Sequence, residues 1–333
     1  MRFTQRAVFA IFAAMLAEAG SAVAEDAIKV TVPVINTTFS PVFVAIEKGY
    51  FKGEGLDVEL VRIGGSGATS ALIAGSVNFS GSPSSALSAV VKGADLRVIH
   101  INSSDPQFTL WSFDPGVTSI EGLAGKSLAI VTRGDTMEIA MRMFLKGRNL
   151  PTDYVGFTAL GDDGGRIAAI ATGAQRYALL LRSDVPRLRD MGVLKEGRPL
   201  VDFGREFEMP TGGVAVAGRE LEEQSERTKR FLRALRKGVA YVRAFKDEAV
   251  VVVQKRLPGT TKEALTTDLE GALATMTKDG TMALEAGARE LAIRGELLGV
   301  PPDKIPSVEK VFDFSLVRAA NREIEAANWR PTR

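Results

Sequence analysis

A glycine- and hydroxyl-rich loop occurs twice in this chain, and the repetition limits the folds open to it. Ile63-Gly64-Gly65-Ser66-Gly67-Ala68-Thr69-Ser70-Ala71-Leu72-Ile73-Ala74-Gly75 follows an alternating apolar run at 57–63 and leads into a helical pattern, so it reads as strand, loop, helix. Gly161-Asp162-Asp163-Gly164-Gly165-Arg166-Ile167-Ala168-Ala169-Ile170-Ala171-Thr172-Gly173 follows the apolar run 154–160 and precedes another at 176–181. Gly75 and Gly173 are 98 residues apart (173 − 75), and the same offset superposes Gly67 on Gly165 and Ala71 on Ala169. Two similar α/β lobes are expected, each offering a helix N-terminus to a common cleft. Glycines there let backbone N–H groups approach a ligand, and the unpaired N–H groups of a first helical turn suit an anion.

The 333 residues, 45% hydrophobic and 25% charged, allow one large or two medium domains without disulfide staples. With 42 basic and 40 acidic residues the net charge is only +2, too weak a field to argue for nucleic acid as a partner. At the amino end, Arg2 and Arg6 precede an uncharged apolar stretch at 7–16, and Ser21-Ala22-Val23-Ala24 supplies the small residues of an A-x-A cleavage site. Residues 1–24 are therefore expected to be a signal peptide cut after Ala24, too short in its apolar part for a membrane-spanning helix of about 20 residues. The sequence has no cysteine, which excludes a thiolate nucleophile, a lipidated cysteine and any Cys-based metal site. The periplasm is the simplest compartment.

After the leader, Ile28-Lys29-Val30-Thr31-Val32 alternates as a strand, and Ser40-Pro41 places a cap and a first-turn proline before a helix at 42–48. A strand at 77–80 meets Ser82-Pro83 in the same way. Three strand-to-helix connections in succession predict a parallel sheet with helices on its faces. Further strands are expected at 97–101, 108–113, 127–131 and 212–217, and helices at 136–146, 166–171, 222–245, 262–277 and 282–298. The chain is expected to cross between lobes near 108–116 and 209–217. That makes residues 25–110 and 215–333 the first lobe and 111–214 the second, with the C-terminal helices packed on the first.

Pro41-Val42-Phe43-Val44-Ala45-Ile46-Glu47-Lys48-Gly49-Tyr50-Phe51-Lys52-Gly53-Glu54-Gly55-Leu56-Asp57-Val58-Glu59-Leu60 resembles the opening signature of the nitrate/sulfonate/taurine class of ABC-transporter substrate-binding proteins, which also includes binding proteins for thiamine-pyrimidine precursors. Ala71-Leu72-Ile73-Ala74-Gly75-Ser76-Val77-Asn78-Phe79 and 86–93 continue it, and Gly122-Leu123-Ala124-Gly125-Lys126 and 231–257 extend it over most of the mature chain. The resemblance implies an α/β, two-lobed periplasmic-binding-protein fold with a parallel-rich sheet in each lobe. It also implies a monomer without a cofactor that delivers its ligand to ABC permease subunits in the inner membrane. Relatives include enzymes of sulfur removal and cofactor biosynthesis, so an enzyme on the same fold acting on a small sulfur- or nitrogen-containing compound is the alternative.

Other chemistry is poorly supplied. Gly65-Ser66-Gly67 lacks the third glycine of a dinucleotide fingerprint and the acid expected about 20 residues on. Gly125-Lys126-Ser127 imitates a phosphate loop, but Ile120 stands where its first glycine belongs. His100, the sole histidine, lies in the apolar run 96–101 and reads as a core residue, not a catalytic base. Asp162 and Asp163 offer too few ligands for a cation, and no metal is expected.

Asp135 and Glu138 have the spacing of a helix cap with its reciprocal acid, which a cleft-facing loop can combine with ligand contact. Arg133, Arg166 and Arg182 stand at strand ends of the second lobe; each alone reads as a surface arginine, and together they predict an anion-pairing residue. The expected ligand is a small organic anion, a sulfonate or carboxylate, with nitrate-like anions and heteroaromatics still open. The first-lobe contacts are expected to be Thr37, Thr38, Ser66, Gly67, Ala68, Ser84 and Ser85. The second-lobe contacts are expected to be Gly134, Asp135, Thr136, Asp162 and Arg182.

Overall fold

Alternating strands and amphipathic helices assemble, in the computed structural model, into two mixed five-stranded sheets wrapped by helices. Residues 25–161, 163–182 and 184–333 are described; the expected signal peptide, Asp162 and Ser183 lie outside them. The chain runs β1 (Asp26–Val32), α1 (Ser40–Glu47), α2 (Tyr50–Gly53), β2 (Leu56–Arg62), α3 (Gly65–Ala74), β3 (Phe79–Ser80), α4 (Pro83–Val91), β4 (Leu96–Ser103) and β5 (Phe108–Ser112). It continues with β6 (Ser127–Ile130), α5 (Thr136–Gly147), β7 (Gly156–Ala159), α6 (Asp163–Ala171), β8 (Tyr177–Leu181), α7 (Asp184–Asp190), β9 (Arg198–Asp202) and β10 (Gly212–Ala217). The remainder is helical: α8 (Gly218–Glu223), α9 (Ser225–Ala244), α10 (Lys246–Gln254), α11 (Lys262–Thr275), α12 (Leu284–Leu298), α13 (Val308–Val311) and α14 (Ser315–Ala326).

The first sheet has the order β2-β1-β3-β10-β4 and the second β7-β6-β8-β5-β9. In each, the first three strands are parallel, and the fourth, β10 or β5, runs antiparallel to the strand before it. The two sheets therefore share one topology, and the repeat read from the loops carries through it. Gly75 and Gly173 both take the left-handed conformation after their helices, with φ of +74° and +73°. An offset of 98 likewise carries Phe79, which opens β3, onto Tyr177, which opens β8.

The lobes exchange chain earlier than the residue pattern implied. All of β5 pairs in the second sheet, Phe108 opposite Leu181 through Ser112 opposite Tyr177, so a boundary at 110 would divide a strand. The outgoing crossing is 104–107 and the returning one 203–211, and they lie side by side. Met209 N–H donates to the Ser104 carbonyl at 2.7 Å, and Thr211 N–H to that of Ser103 at 3.0 Å. Hydrogen bonding, which the apolar pattern does not report, sets the crossing points.

Lobe 1 has the larger core, built from β1, α1, α4, β4, β10 and α9 around residues such as Phe43, Phe79 and Phe231. The α9 helix approaches α1 closely at Gly238, where a Cβ would meet the Pro41 carbonyl oxygen at 2.2 Å. A second core around Leu110, Phe144, Leu179 and Phe203 fills lobe 2. The C-terminal helices lie on lobe 1, and α12 also reaches lobe 2: its Leu291 is in the first core and its Ile293 in the second.

His100 is 1% exposed on β4, and neither ring nitrogen makes a hydrogen bond. Burial first, and then the nearby Arg236 charge, push its pKa from 6.5 down to about 3, with Asn102 pulling weakly the other way without reaching hydrogen-bond geometry. The unfolded chain therefore takes up this proton first. The contribution is intact above pH 6.5 and is lost as pH falls from there toward 3. We expect His100→Leu to lose less stability than the wild type over that window in urea titrations, the gap widening by up to about 1.4 kcal/mol per pH unit. Parallel acid profiles for the two proteins would contradict it.

Candidate functional site

In the first sheet, β1, β2 and β3 end together, and each is followed by a turn into a helix. After β2, Gly64 caps α3 without any side-chain bond, and the first intrahelical bond runs from Ala68 N–H to the Gly64 carbonyl. The N–H groups of Gly65, Ser66 and Gly67 thus stand open at the helix N-terminus. Ala68 itself is fully buried with its N–H already used, so of the three expected loop contacts only exposed Ser66 and Gly67 face outward.

After β3, Ser82 precedes Pro83 at the start of α4 and again makes no cap bond. Its hydroxyl is buried and has no hydrogen-bond partner, and the same is true of the Ser40 hydroxyl at the start of α1. Ser84 and Ser85, half-buried, follow in the open first turn of α4. Thr37 is buried, while Thr38 donates its N–H to Asn36 Oδ1 at 3.1 Å. Thr38, Gly81, Asn102 and Gly213 line a cavity of about 20 Å³, room for roughly one water. Sequence reasoning missed Ser82, Ser40 and Asn102. For Ser82 the signal was present, since a serine directly before a first-turn proline is an N-cap.

Lobe 2 treats its helix N-terminus differently. Asp135 Oδ1 accepts the Glu138 N–H at 2.9 Å, and Oδ2 accepts those of Val131 and Thr132 at 3.1 and 3.0 Å. The Glu138 carboxylate returns to Gly134 N–H at 2.8 Å and holds Arg142 and Arg133. The capping reading is the one the geometry fills: α5 carries its own anion. Burial raises the Asp135 carboxyl above its ordinary range against the pull of those N–H groups. Half-buried Thr136 begins the helix beside it.

The three arginines do not converge on the cleft as free cations. Arg166 is fully buried and pairs with Asp184 at 2.5 Å, whose carboxylate also accepts Leu181 N–H at 2.9 Å. Arg133 pairs with Glu138 at 3.1 Å. Arg182, the expected anion contact, points at Asp202 from 3.5 Å, and its N–H bonds the Gln107 carbonyl. It therefore sits against the crossing segments. The ion partners Asp184 and Asp202 come from separate turns, which spacing alone does not reveal. Among the described residues no cluster of three or more acids or histidines suits a metal, and no helix is long and apolar enough to cross a membrane.

Residues 36–249 match the family model described as NMT1/THI5 like, which is more than half of the chain. The chain belongs to that family. The alkanesulfonate-binding protein SsuA from Xanthomonas axonopodis pv. citri, solved bound to MOPS, is similar over 86% of this chain and 98% of its own, with a TM-score of 0.68 and 15% identity. The periplasmic nitrate-binding protein NrtA from Synechocystis PCC 6803 matches over 92% of this chain and 91% of its own, with a TM-score of 0.68 and 14% identity. The desulfurization enzyme DSZB matches over 90% of this chain and 99% of its own, with a TM-score of 0.60 and 12% identity. At such identities the likeness establishes the periplasmic-binding-protein fold. No curated protein matches the chain.

The two kinds of arginine in this NMT1/THI5-like protein differ in what removing a partner should cost. Asp184→Ala takes a hydrogen-bonded carboxylate from fully buried Arg166 and is expected to destabilise by more than about 1 kcal/mol. Arg182→Ala breaks an exposed pair and is expected to cost less than about 1 kcal/mol. Denaturant titration of both variants checks the ranking, and equal costs would refute it.

Proposed function

We propose that this chain is the solute-binding component of an ABC importer, exported to the periplasm, where it encloses a small organic anion between its lobes and hands it to permease subunits. The observation that carries the reading is the contrast between lobes. On lobe 1 the helices after β2 and β3 start without a side-chain cap, and the buried hydroxyls of Ser82 and of Ser40, at the starts of α4 and α1, lack partners, whereas α5 of lobe 2 is capped by its own Asp135. Two open helix N-termini and several hydroxyls complement a sulfonate or carboxylate, and no guanidinium is needed for it. This moves the anion assignment from Arg182 to Ser66, Gly67, Ser82, Ser84 and Ser85. Thr136 and the loop around Gly134 then meet the ligand from the other side.

Closure follows if the ligand touches both lobes, because only contacts that differ between open and closed forms shift their balance. The sulfonate and nitrate named for SsuA and NrtA support an oxyanion as the ligand class. The likeness to DSZB keeps an enzyme in view. Against it, the chain has no cysteine, and its single histidine is buried in the lobe 1 core.

A thermal-shift series with ethanesulfonate, acetate and nitrate tests the proposal. An anion that binds should stabilise by about 2.7 kcal/mol at a hundredfold excess over its Kd. Ser82→Asp places a carboxylate at the α4 N-terminus, as Asp135 does for α5. That variant should melt at or above the wild-type temperature and lose the anion response. Chemical conversion of a stabilising compound by purified protein would replace the importer reading with the enzyme one.

A further inference from the structure

Helix α12 lies between the lobes, outside the residues that match the family model. One side packs on lobe 1, where Gly287 abuts Phe312 and Gly295 abuts Ile305. The other meets α5 of lobe 2: Ile293 enters the second core, and Glu296 bonds Lys146 at 2.6 Å and Thr152 at 3.3 Å. Two buried residues one turn apart, Glu290 and Arg294, stand at the junction, with exposures of 0% and 1%.

The Arg294 guanidinium has five N–H donors, and all five are used. Nε and Nη2 donate to Glu290 Oε1 at 3.0 and 2.5 Å. Nη2 also donates to Ser84 Oγ at 2.7 Å, and Nη1 to Ser88 Oγ at 2.6 Å, both on α4 of lobe 1. The remaining N–H of Nη1 reaches the Gly134 carbonyl of lobe 2 at 3.3 Å. One fully desolvated side chain thus bonds both lobes at once, at α4 of lobe 1 and at the turn before α5 of lobe 2. Glu290 Oε2 has no partner, so the carboxylate is spent on Arg294 alone.

We infer that Arg294 is a positioning residue that pins the two lobes together: held by Glu290, it ties the α4 turn of lobe 1 to the Gly134 turn of lobe 2 and restricts how far they separate. With no donor left, Arg294 does not bind the ligand directly. It acts through Ser84. An arginine cannot accept, so Ser84 must accept from it and keeps its own hydroxyl proton for another partner. Ser88 can send its proton to the carbonyl one turn back, but Ser84 is in the first turn of α4, where the residue four before it, Ser80, lies in β3. The α12 helix therefore works as a third link between lobes, beside the crossings at 104–107 and 203–211.

The absence of cysteine makes the test direct. Arg62→Cys and Ala159→Cys place one spin label on the free edge of each sheet, at exposed positions on β2 and β7. Interlobe distances are then measured by pulsed electron resonance without any ligand. Glu290→Leu with Arg294→Met removes the buried pair by apolar residues of similar size, a change that buried ion pairs often tolerate. In this variant the distance distribution should broaden and shift to longer values, while the circular-dichroism spectrum and cooperative melting stay native. An unchanged distribution in the folded variant overturns the inference. If that variant does not fold, Ser84→Ala with Ser88→Ala decides instead, since it keeps the ion pair and unhooks it from lobe 1. A wild-type distribution there also overturns it.

Discussion

Each sheet depends on one antiparallel strand that enters directly from a crossing. Between β3 and β4, and between β8 and β9, the gap is closed only by β10 and by β5. Without the exchange, the facing edges of β3 and β4 and of β8 and β9 would hold unpaired N–H and C=O groups at a cost that a folded core does not tolerate. The ladders therefore fix two crossings side by side, and the crossings fix a joint. Because β1, β2, β3 and their counterparts β6, β7, β8 all run parallel, their carboxyl ends and the helix N-termini after them collect on one side, where open α/β sheets bind ligands.

Pseudo-symmetric scaffolding carries an asymmetric site. The uncapped turns of α3 and α4 leave donors for an anion on lobe 1. On lobe 2, Asp135 caps α5, the counterpart of α1, and Asp184 at the start of α7, the counterpart of α4, pairs with Arg166. In the proposed function, one lobe holds the charge and the other covers it. The buried pairs on lobe 2 keep their guanidiniums out of competition with the helix termini. Under the proposed function that arrangement favours release, because a charge-assisted contact to a free arginine would add roughly 1.5–3 kcal/mol to the affinity.

Much of the scaffold was legible in the residues. The 98-residue offset, the left-handed Gly75 and Gly173, the start of α4 at Ser82-Pro83 and the cap at Asp135 follow from local rules that hold whatever the surroundings. The crossing points were less legible, since Phe108–Ser112 reads as an apolar run in either lobe and only its pairing with β8 decides. The partners of charged groups were not legible. Arg166 finds Asp184 eighteen positions on and Arg182 finds Asp202 twenty on, while Asp184 lies only two residues after Arg182. Nor did the spacing of α12 show that its apolar positions divide between two cores, because its partners, α4 and α5, come from opposite lobes.

In the proposed function, backbone N–H groups at two helix starts of lobe 1 hold the anion. Amide NMR during titration with the oxyanion that most raises the melting temperature tests it at single-residue resolution. The largest downfield amide-proton shifts are expected at Gly65, Ser66, Gly67, Ser84 and Ser85, with smaller changes on lobe 2. Saturable binding whose amide shifts are confined to the α5 turn and the arginines of lobe 2 would contradict it.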